Sequence, residues 1–323
     1  MRRVFYVGPA EDPSATVAVH EVPDPACPEA GVVVAVAARP INPADLLLLE
    51  GRHVYTPELP SPVGIEGAGR VIAAGPASRL AVGTLVAIPR GGTWSEQLAL
   101  GDADVIPLPD DVDIEQAAML SVNPFTAVGL LEGLPEGATL ALNAGNAAIS
   151  RLVLALARRR GLRAVAVVRD LSVAPVLLAL GAAAVVADGE GLAARLRDAA
   201  GAPIVRGLDA VAGVASGQLF DAVADGGELI VYGLLSSDRV SLPAANLVFR
   251  DVVVRGYSRL RCYAALTPER RKEIGAELVH LLRTGAAVTE IEARYPLSQV
   301  RAAVAHHQRP GRRGKILLLS PEG

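Results

Sequence analysis

The sequence predicts an α/β protein in two parts: a doubly wound parallel sheet in the middle of the chain and a β-rich part assembled from its ends. Three observations predict it. From residue 138 to about 256, a short apolar run, a turn and a helix-length stretch repeat in succession. The first 120 residues instead carry prolines at 23, 25, 28, 40, 43, 57, 60, 62, 89, 107 and 109 between short apolar segments. A last apolar run, Lys315-Ile-Leu-Leu-Leu319, stands alone beyond a charge-rich helical stretch.

Taken in order, the apolar runs of the middle segment are 138–142, 164–168, 183–186, 208–212, 228–232 and 252–255. None alternates, which suits strands covered on both faces, and the intervening helices force parallel crossovers. The first helix, about 147–160, ends in Arg158-Arg159-Arg160 with Gly161 after it. Cations complement a helix C-terminus and glycine suits the left-handed cap. The proline-punctuated start predicts an irregular β-rich domain. A helix is expected over 267–284, with His306-His307 as a solvated helix end. The terminal strand is expected to return to the first part. Residues 1–120 and 258–323 then form one domain, and 121–257 an inserted one.

Composition narrows the function classes. A chain of 323 residues suffices for two ordinary domains. With 51% hydrophobic and 20% charged residues it is not a disordered chain. A net charge of -3 supplies no field for nucleic acid. Cys27 and Cys262 are too few for a disulfide framework or a four-thiolate metal site, so a reducing, cytoplasmic setting is expected. No signal peptide is expected, because the start runs quickly into Glu11 and Asp12. The longest uncharged run, 171–187, contains Pro175 and Gly181, so it reads as helix, turn and strand and not as a membrane span.

Two local patterns carry chemistry. Asn143-Ala-Gly-Asn-Ala-Ala-Ile-Ser150 lies between the first strand and its helix, where free N–H groups and the positive helix end suit a pyrophosphate. Gly145 is its only glycine, so an ordinary strand-to-helix turn is the equal alternative. At the end of the second strand stands Arg169, then Asp170. A guanidinium there accepts a 2′-phosphate, whereas a carboxylate grips a 2′-hydroxyl, and the order here favours NADPH.

Longer motifs establish a resemblance. Gly64-Ile-Glu-Gly-Ala-Gly-Arg-Val71, Asn42-Pro-Ala-Asp45, Pro57-Glu-Leu-Pro60, Gly92-Thr-Trp94, Val122-Asn-Pro-Phe-Thr-Ala127 and Val167-Val-Arg-Asp170 occur in order. Together they resemble the medium-chain dehydrogenase/reductase superfamily in its zinc-free quinone oxidoreductase branch. Within it, the chain looks most like the mitochondrial-type 2-enoyl thioester reductases. The resemblance implies a Rossmann cofactor domain and a GroES-like catalytic domain. It also implies NADPH as cofactor and reduction of enoyl groups carried on coenzyme A or acyl carrier protein. Homodimers paired through the edge near Val252–Arg255 are implied as well. The zinc-bearing relatives place a histidine where this chain has Ile65 and a cysteine near Asn42, so no metal is expected.

Carried over by position, the resemblance implies cofactor contacts at Asn123, Thr126, Asn146, Ala147, Ala148, Ile149, Arg169, Asp170, Tyr232, Gly233, Tyr257 and Lys315. The nicotinamide is expected in a cleft near Asn42, Asn123 and Gly233. Lys315 otherwise reads as a surface cation opening a strand. Three departures stand out. Ala148 and Ser150 replace glycines of the phosphate loop. His53 stands where the family has its proton-donating tyrosine, with Tyr55 two residues on. Ser258 and Cys262 replace aromatics of the acyl pocket.

The expected catalytic group is therefore Asn42 with His53 or Tyr55. The expected reaction is NADPH-dependent reduction of the C=C bond of an enone or 2-enoyl thioester. Quinone or small-carbonyl reduction is the alternative on the same scaffold, and a non-catalytic nucleotide sensor is the alternative of another class.

Overall fold

The apolar runs of the middle segment form one parallel six-stranded sheet in the computed structural model, which describes residues 1–53, 56–285, 288–309, 311–312 and 314–320. Its elements are α1 (Asn123–Leu130), β1 (Thr139–Leu142), α2 (Ala148–Arg159), β2 (Arg163–Val168), α3 (Ala174–Leu180), β3 (Ala184–Ala187) and α4 (Leu192–Ala200). They continue with β4 (Ile204–Asp209), α5 (Val214–Ala222), β5 (Val223–Val231), α6 (Ala244–Phe249), β6 (Val253–Gly256) and α7 (Arg259–Ala265). The strand order is β3-β2-β1-β4-β5-β6. The chain winds outward from β1 on one side, returns, and winds outward on the other. The boundary between β1 and β4 is thus the topological switch point, where an open α/β sheet forms its ligand crevice.

Val165, Val167, Leu196, Leu219, Phe220 and Leu229 form a buried cluster in this unit, each such side chain contributing about 1.5–3 kcal/mol on leaving water. Helix α2 stops where its cationic last turn meets Gly161, which adopts φ +64°.

One strand differs from the sequence expectation. The apolar run 208–212 is not the fourth strand, which is Ile204–Asp209. The Asp209 carboxylate accepts the N–H groups of Val211 (2.9 Å) and Ala212 (3.0 Å), folding Ala210-Val211-Ala212 into a turn. The strand begins earlier, through Arg206, whose charge disguises it. The Arg206 guanidinium is buried and donates to the carbonyls of Leu130 (2.8 Å) and Glu132 (2.9 Å) and to Glu228 (2.6 Å), its register partner on β5.

Met1–Val122 with Gly275–Gly323 make up one compact unit and Asn123–Ile274 the other. In the first, the C-terminal strand Lys315–Leu319 lies antiparallel to the long strand Gly31–Pro40 and parallel to Ile291–Pro296. Gly31–Pro40 also pairs with Gly67–Ala74 and with Gln97–Gly101. Arg39, fully buried in this sheet, donates to the carbonyls of Val36, Thr93, Ser95 and Leu318 and to the Ser320 hydroxyl. Those acceptors offset the cost of burying a charge, although burial still pulls its pKa down to about 9.

The histidine pair is not the solvated end expected. His307 is 6% exposed, and burial, with Arg312 and Lys315 nearby, pushes its pKa down to about 3. Its helix, Val300–His307, turns this ring inward beside buried Ala303 and Val304. Among the described residues no helix is long and apolar enough to cross a membrane.

Candidate active site

In the sheet unit, the residues expected at a phosphate collect at the N-terminus of α2. Its N-cap, Ala147, provides no side-chain cap, the first turn holds no acidic residue, and the first bond into the helix is Arg151 N–H to the Ala147 carbonyl at 3.0 Å. The N–H groups of Ala148, Ile149 and Ser150 therefore open the helix without intrahelical acceptors, at its positive end. Asn146 is exposed, and Ala147, Ala148 and Ile149 are half-buried. Ser150 points inward and is fully buried, so its side chain lies inside the unit and not on the loop surface. Its hydroxyl and that of Tyr232 are buried and face each other, and among the described residues neither finds a partner at hydrogen-bond distance. Burial, reinforced by Asp209, pushes Tyr232 up to about 12.

The two glycines expected here serve close packing. A Cβ on Gly145 would stand 2.9 Å from the Ala166 methyl, while the Gly145 N–H donates to the Val167 carbonyl at 2.8 Å. A Cβ on Gly233 would stand 2.6 Å from the Ala210 carbonyl. Neither position requires positive φ; each lets a loop lie against a neighbouring strand end.

Arg169 and Asp170 are both exposed, but their side chains behave differently. Asp170 accepts the N–H (2.9 Å) and hydroxyl (2.6 Å) of Ser172, bonds that hold its carboxyl below the usual range. Arg169 takes no hydrogen bond or ion pair among the described residues. One free guanidinium thus stands beside a carboxylate already engaged.

Sequence reasoning missed the residues that tie the switch point together. Asn143, at the end of β1, donates to Asp209, at the end of β4, at 2.6 Å, and accepts the Ala210 N–H at 2.8 Å. The Ser216 hydroxyl completes the set on the other Asp209 oxygen. An asparagine and an aspartate 66 residues apart give no local signal of this pairing.

Asn123 opens α1 half-buried, and Thr126 is buried one turn on. Where α1 meets α7, a recess of about 360 Å³ is lined by Phe125, Gly129, Tyr257, Cys262, Tyr263 and Leu266, among others. An added Cβ at Gly129 would run into the Tyr257 hydroxyl. Burial, then the neighbouring Cys262, raises the pKa of Tyr257.

The first unit brings together two residues that sequence reasoning placed in different roles. Lys315 donates its ammonium to Oδ1 of Asn42, and Asn42 Nδ2 donates to Glu66 at 2.9 Å. Glu66 also accepts the Ser121 N–H (3.1 Å), the Ser121 hydroxyl (3.1 Å) and the Val122 N–H (2.8 Å). Asp45 reaches back to the Asn42 N–H at 2.8 Å, starting the helix Pro43–Leu49. Asn42, Asp45, Glu66 and Lys315 are all buried. Lys315 is therefore an interior cation, its pKa lowered by burial to about 8. His53 follows that helix, half-buried, its N–H on the Leu47 carbonyl at 3.0 Å. Tyr55 lies outside the described residues. Among the described residues no group of three or more His, Cys, Asp and Glu is placed to hold a metal ion.

Comparison with known proteins is consistent across the chain. Residues 148–276 match the family model described as zinc-binding dehydrogenase, and residues 28–110 match the alcohol dehydrogenase GroES-like domain. Mitochondrial enoyl-acyl-carrier-protein reductase of Bos taurus is 30% identical over 320 residues, 95% of this chain and 86% of the relative. Its Homo sapiens counterpart is 30% identical over 321 residues, with the same coverage of 95% and 86%. Among solved structures, a Pseudomonas syringae quinone oxidoreductase superposes with TM-score 0.87 at 25% identity, over 98% of this chain and 99% of that one. Escherichia coli quinone oxidoreductase, solved with NADPH, superposes with TM-score 0.88 at 22% identity over 99% and 100% of the two chains.

Proposed function

Because this chain belongs to the medium-chain dehydrogenase/reductase superfamily, we propose that it is an NADPH-dependent oxidoreductase that reduces the C=C bond of an α,β-unsaturated carbonyl compound. A 2-enoyl thioester is the favoured substrate. The observation that carries the cofactor choice is the pairing of a free Arg169 guanidinium with an Asp170 carboxylate occupied by Ser172. A 2′-phosphate meets a cation there without an open competing anion. The uncapped start of α2, without an acidic side chain in its first turn, suits the pyrophosphate.

Bound NADPH supplies the hydride that reaches the substrate β-carbon, and the α-carbon takes a proton. The chain's own tasks are orientation, electrostatic support of the carbonyl oxygen and delivery of that proton. His53 and Tyr55 are the proposed donors, and Asn42 the proposed orienting amide. The recess beside Phe125, Tyr257 and Cys262 is proposed to receive the acyl group; at about 360 Å³ it favours a short or compact one.

We read the reaction as independent of zinc. Glu66 is saturated by four donors, the residue before it is Ile65, and the nearby cation is Lys315; this donor set does not fit a zinc ion. A homodimer through β6 is also proposed, in keeping with its outer position in the sheet and with exposed Val253, Val248 and Phe249 alongside. The two free cysteines suit a cytoplasmic location.

Quinone reduction is the second reading, favoured by the quinone oxidoreductase match at 25% identity. One experiment separates the readings: titrate with NADPH and NADH, then follow NADPH oxidation with crotonyl thioester, a long-chain enoyl thioester, a simple enone and a quinone. Preferential NADPH binding with thioester turnover supports the proposal. Quinone turnover alone selects the alternative, and failure to bind either nucleotide overturns both.

A further inference from the structure

Two arginines from different helices donate to one backbone carbonyl at the end of α5. Arg197, in the last turn of α4, and Arg250, which closes α6, each direct an Nη1 to the Asp221 oxygen, at 2.9 and 3.3 Å. A cation complements a helix C-terminus. Arg250 alone answers that need, since it also donates to the Val223 carbonyl and, at 2.7 Å, to the Asp225 carboxylate. The Asp221 carboxylate is occupied by the Asn246 amide. The Arg197 guanidinium makes no ion pair and no other hydrogen bond among the described residues. Its charge, and the parallel N–H pair along its Nε–Nη2 edge, thus stand without a protein partner there.

Both arginines line a cavity of about 240 Å³, whose wall also includes Pro203, Ile204, Ala222 and Val223. The sheet itself makes this space. From Ile204 to Arg206 β4 advances two residues, while its partner β5 advances five, from Val223 to Glu228. The surplus of β5 leaves the ladder beside the start of β4. These are the N-terminal ends of the two strands. The crevice of the switch point lies at their C-terminal ends, about 15 Å away along β4 at about 3.3 Å per residue, so a ligand in the cavity does not overlap the cofactor.

We propose that this cavity binds a small aliphatic monocarboxylate. The two carboxylate oxygens lie side by side on the Nε–Nη2 edge of Arg197, a planar fit that an ammonium does not offer. The carbon chain packs against Ile204 and Val223. Charge sets the class of ligand: Arg250 is paired with Asp225, so one uncompensated cation lines the cavity. That matches a single negative charge and leaves a phosphate dianion underpaired. An amino acid would bring its own ammonium against two guanidiniums and is disfavoured. The volume admits a chain of only a few carbons. A ligand held here ties α4 to the start of β5, and binding to the folded state alone raises thermal stability.

The test is calorimetric titration of the intact chain with sodium butyrate, butyramide and inorganic phosphate, each with and without NADPH. Butyrate should bind with a Kd of about 1 mM. Butyramide, which keeps the shape without the charge, and phosphate should bind at least ~10-fold more weakly. Arg197→Met should weaken butyrate at least ~10-fold, and Arg197→Lys should recover only part of that loss, because an ammonium lacks the paired donors. In the unsubstituted chain the Ile204 δ-methyl NMR signal, assigned through Ile204→Val, should shift with the calorimetric midpoint; this locates the ligand whether or not Arg197→Met folds. Equal binding of butyrate and butyramide, no saturation below about 50 mM, full affinity in Arg197→Met or an unmoved Ile204 signal would overturn the proposal and leave Arg197 as a second cap of α5. Displacement of butyrate by NADPH would also overturn it, by placing the acid in the crevice.

Discussion

Asp209 offers the sharpest test of how the sheet unit is held together. Its buried carboxylate accepts from Asn143 Nδ2 (2.6 Å), Val211 N–H (2.9 Å), Ala212 N–H (3.0 Å) and the Ser216 hydroxyl. Asp209→Ala strands all four donors. At about 1–3 kcal/mol for each buried donor left unmet, and with half-buried Val211 able to find water, the remaining three donors should cost about 3–9 kcal/mol. Asp209→Asn should cost far less. Its amide oxygen can keep the three donors on Oδ1, and its NH2 can donate to Ser216, whose hydroxyl rotates to accept; a loss of about 1–2 kcal/mol remains for the charge. Guanidinium unfolding followed by far-UV circular dichroism measures both variants. Trp94, the only tryptophan and a buried residue of the other unit, reports separately on that unit. An Asp209→Ala loss under about 1 kcal/mol, or equal losses for both substitutions, would refute the reasoning.

Three further outcomes are expected. Arg169→Ala should weaken NADPH binding about 10- to 100-fold in isothermal titration and leave NADH unchanged, because among the described residues the guanidinium has no other partner to lose; Ser172→Ala, which frees the Asp170 carboxylate, should weaken NADPH in the same direction. The double variant Ser150→Ala with Tyr232→Phe removes two buried hydroxyls that among the described residues meet no partner but each other, so thermal unfolding should show a stability within about 1 kcal/mol of wild type or above it; a larger loss would mean that the hydroxyls bond to further groups. Cys262→Trp narrows the recess of about 360 Å³ and should lower kcat/KM for an eight-carbon enoyl thioester at least ~10-fold relative to crotonyl thioester. Equal effects on both lengths would place the acyl group elsewhere.

Much of the sheet was legible because its strands announce themselves by composition. Ala164–Val168 and Val252–Val254 are unbroken apolar runs, and four of the six strands match their expected runs to within one residue, while the fifth begins five residues before its run. The fourth did not, because a buried arginine looks polar until its carbonyl and carboxylate partners are known, and because an apolar Ala-Val-Ala stretch can be bent by an aspartate just before it. Arg169 and Asp170 were legible as a pair, since the rule concerns the end of one strand. Their division of labour was not, because it depends on where Ser172 turns its hydroxyl.

The candidate site divides in the same way. Sequence by itself determined the family, the alternation of strand and helix, the position of the loop between the first strand and its helix and the residue types available for chemistry, because each is written in local order and spacing. Tertiary structure decided which of those residues meet. It joined Asn42 to Lys315 across 273 positions of chain and Asn143 to Asp209 across 66. It turned Ser150 inward and made Gly145 a packing residue. The physical reason is burial: a side chain's charge, reach and hydrogen-bonding needs are fixed by its type, but the cost of leaving them unmet is set by whatever the fold places beside it.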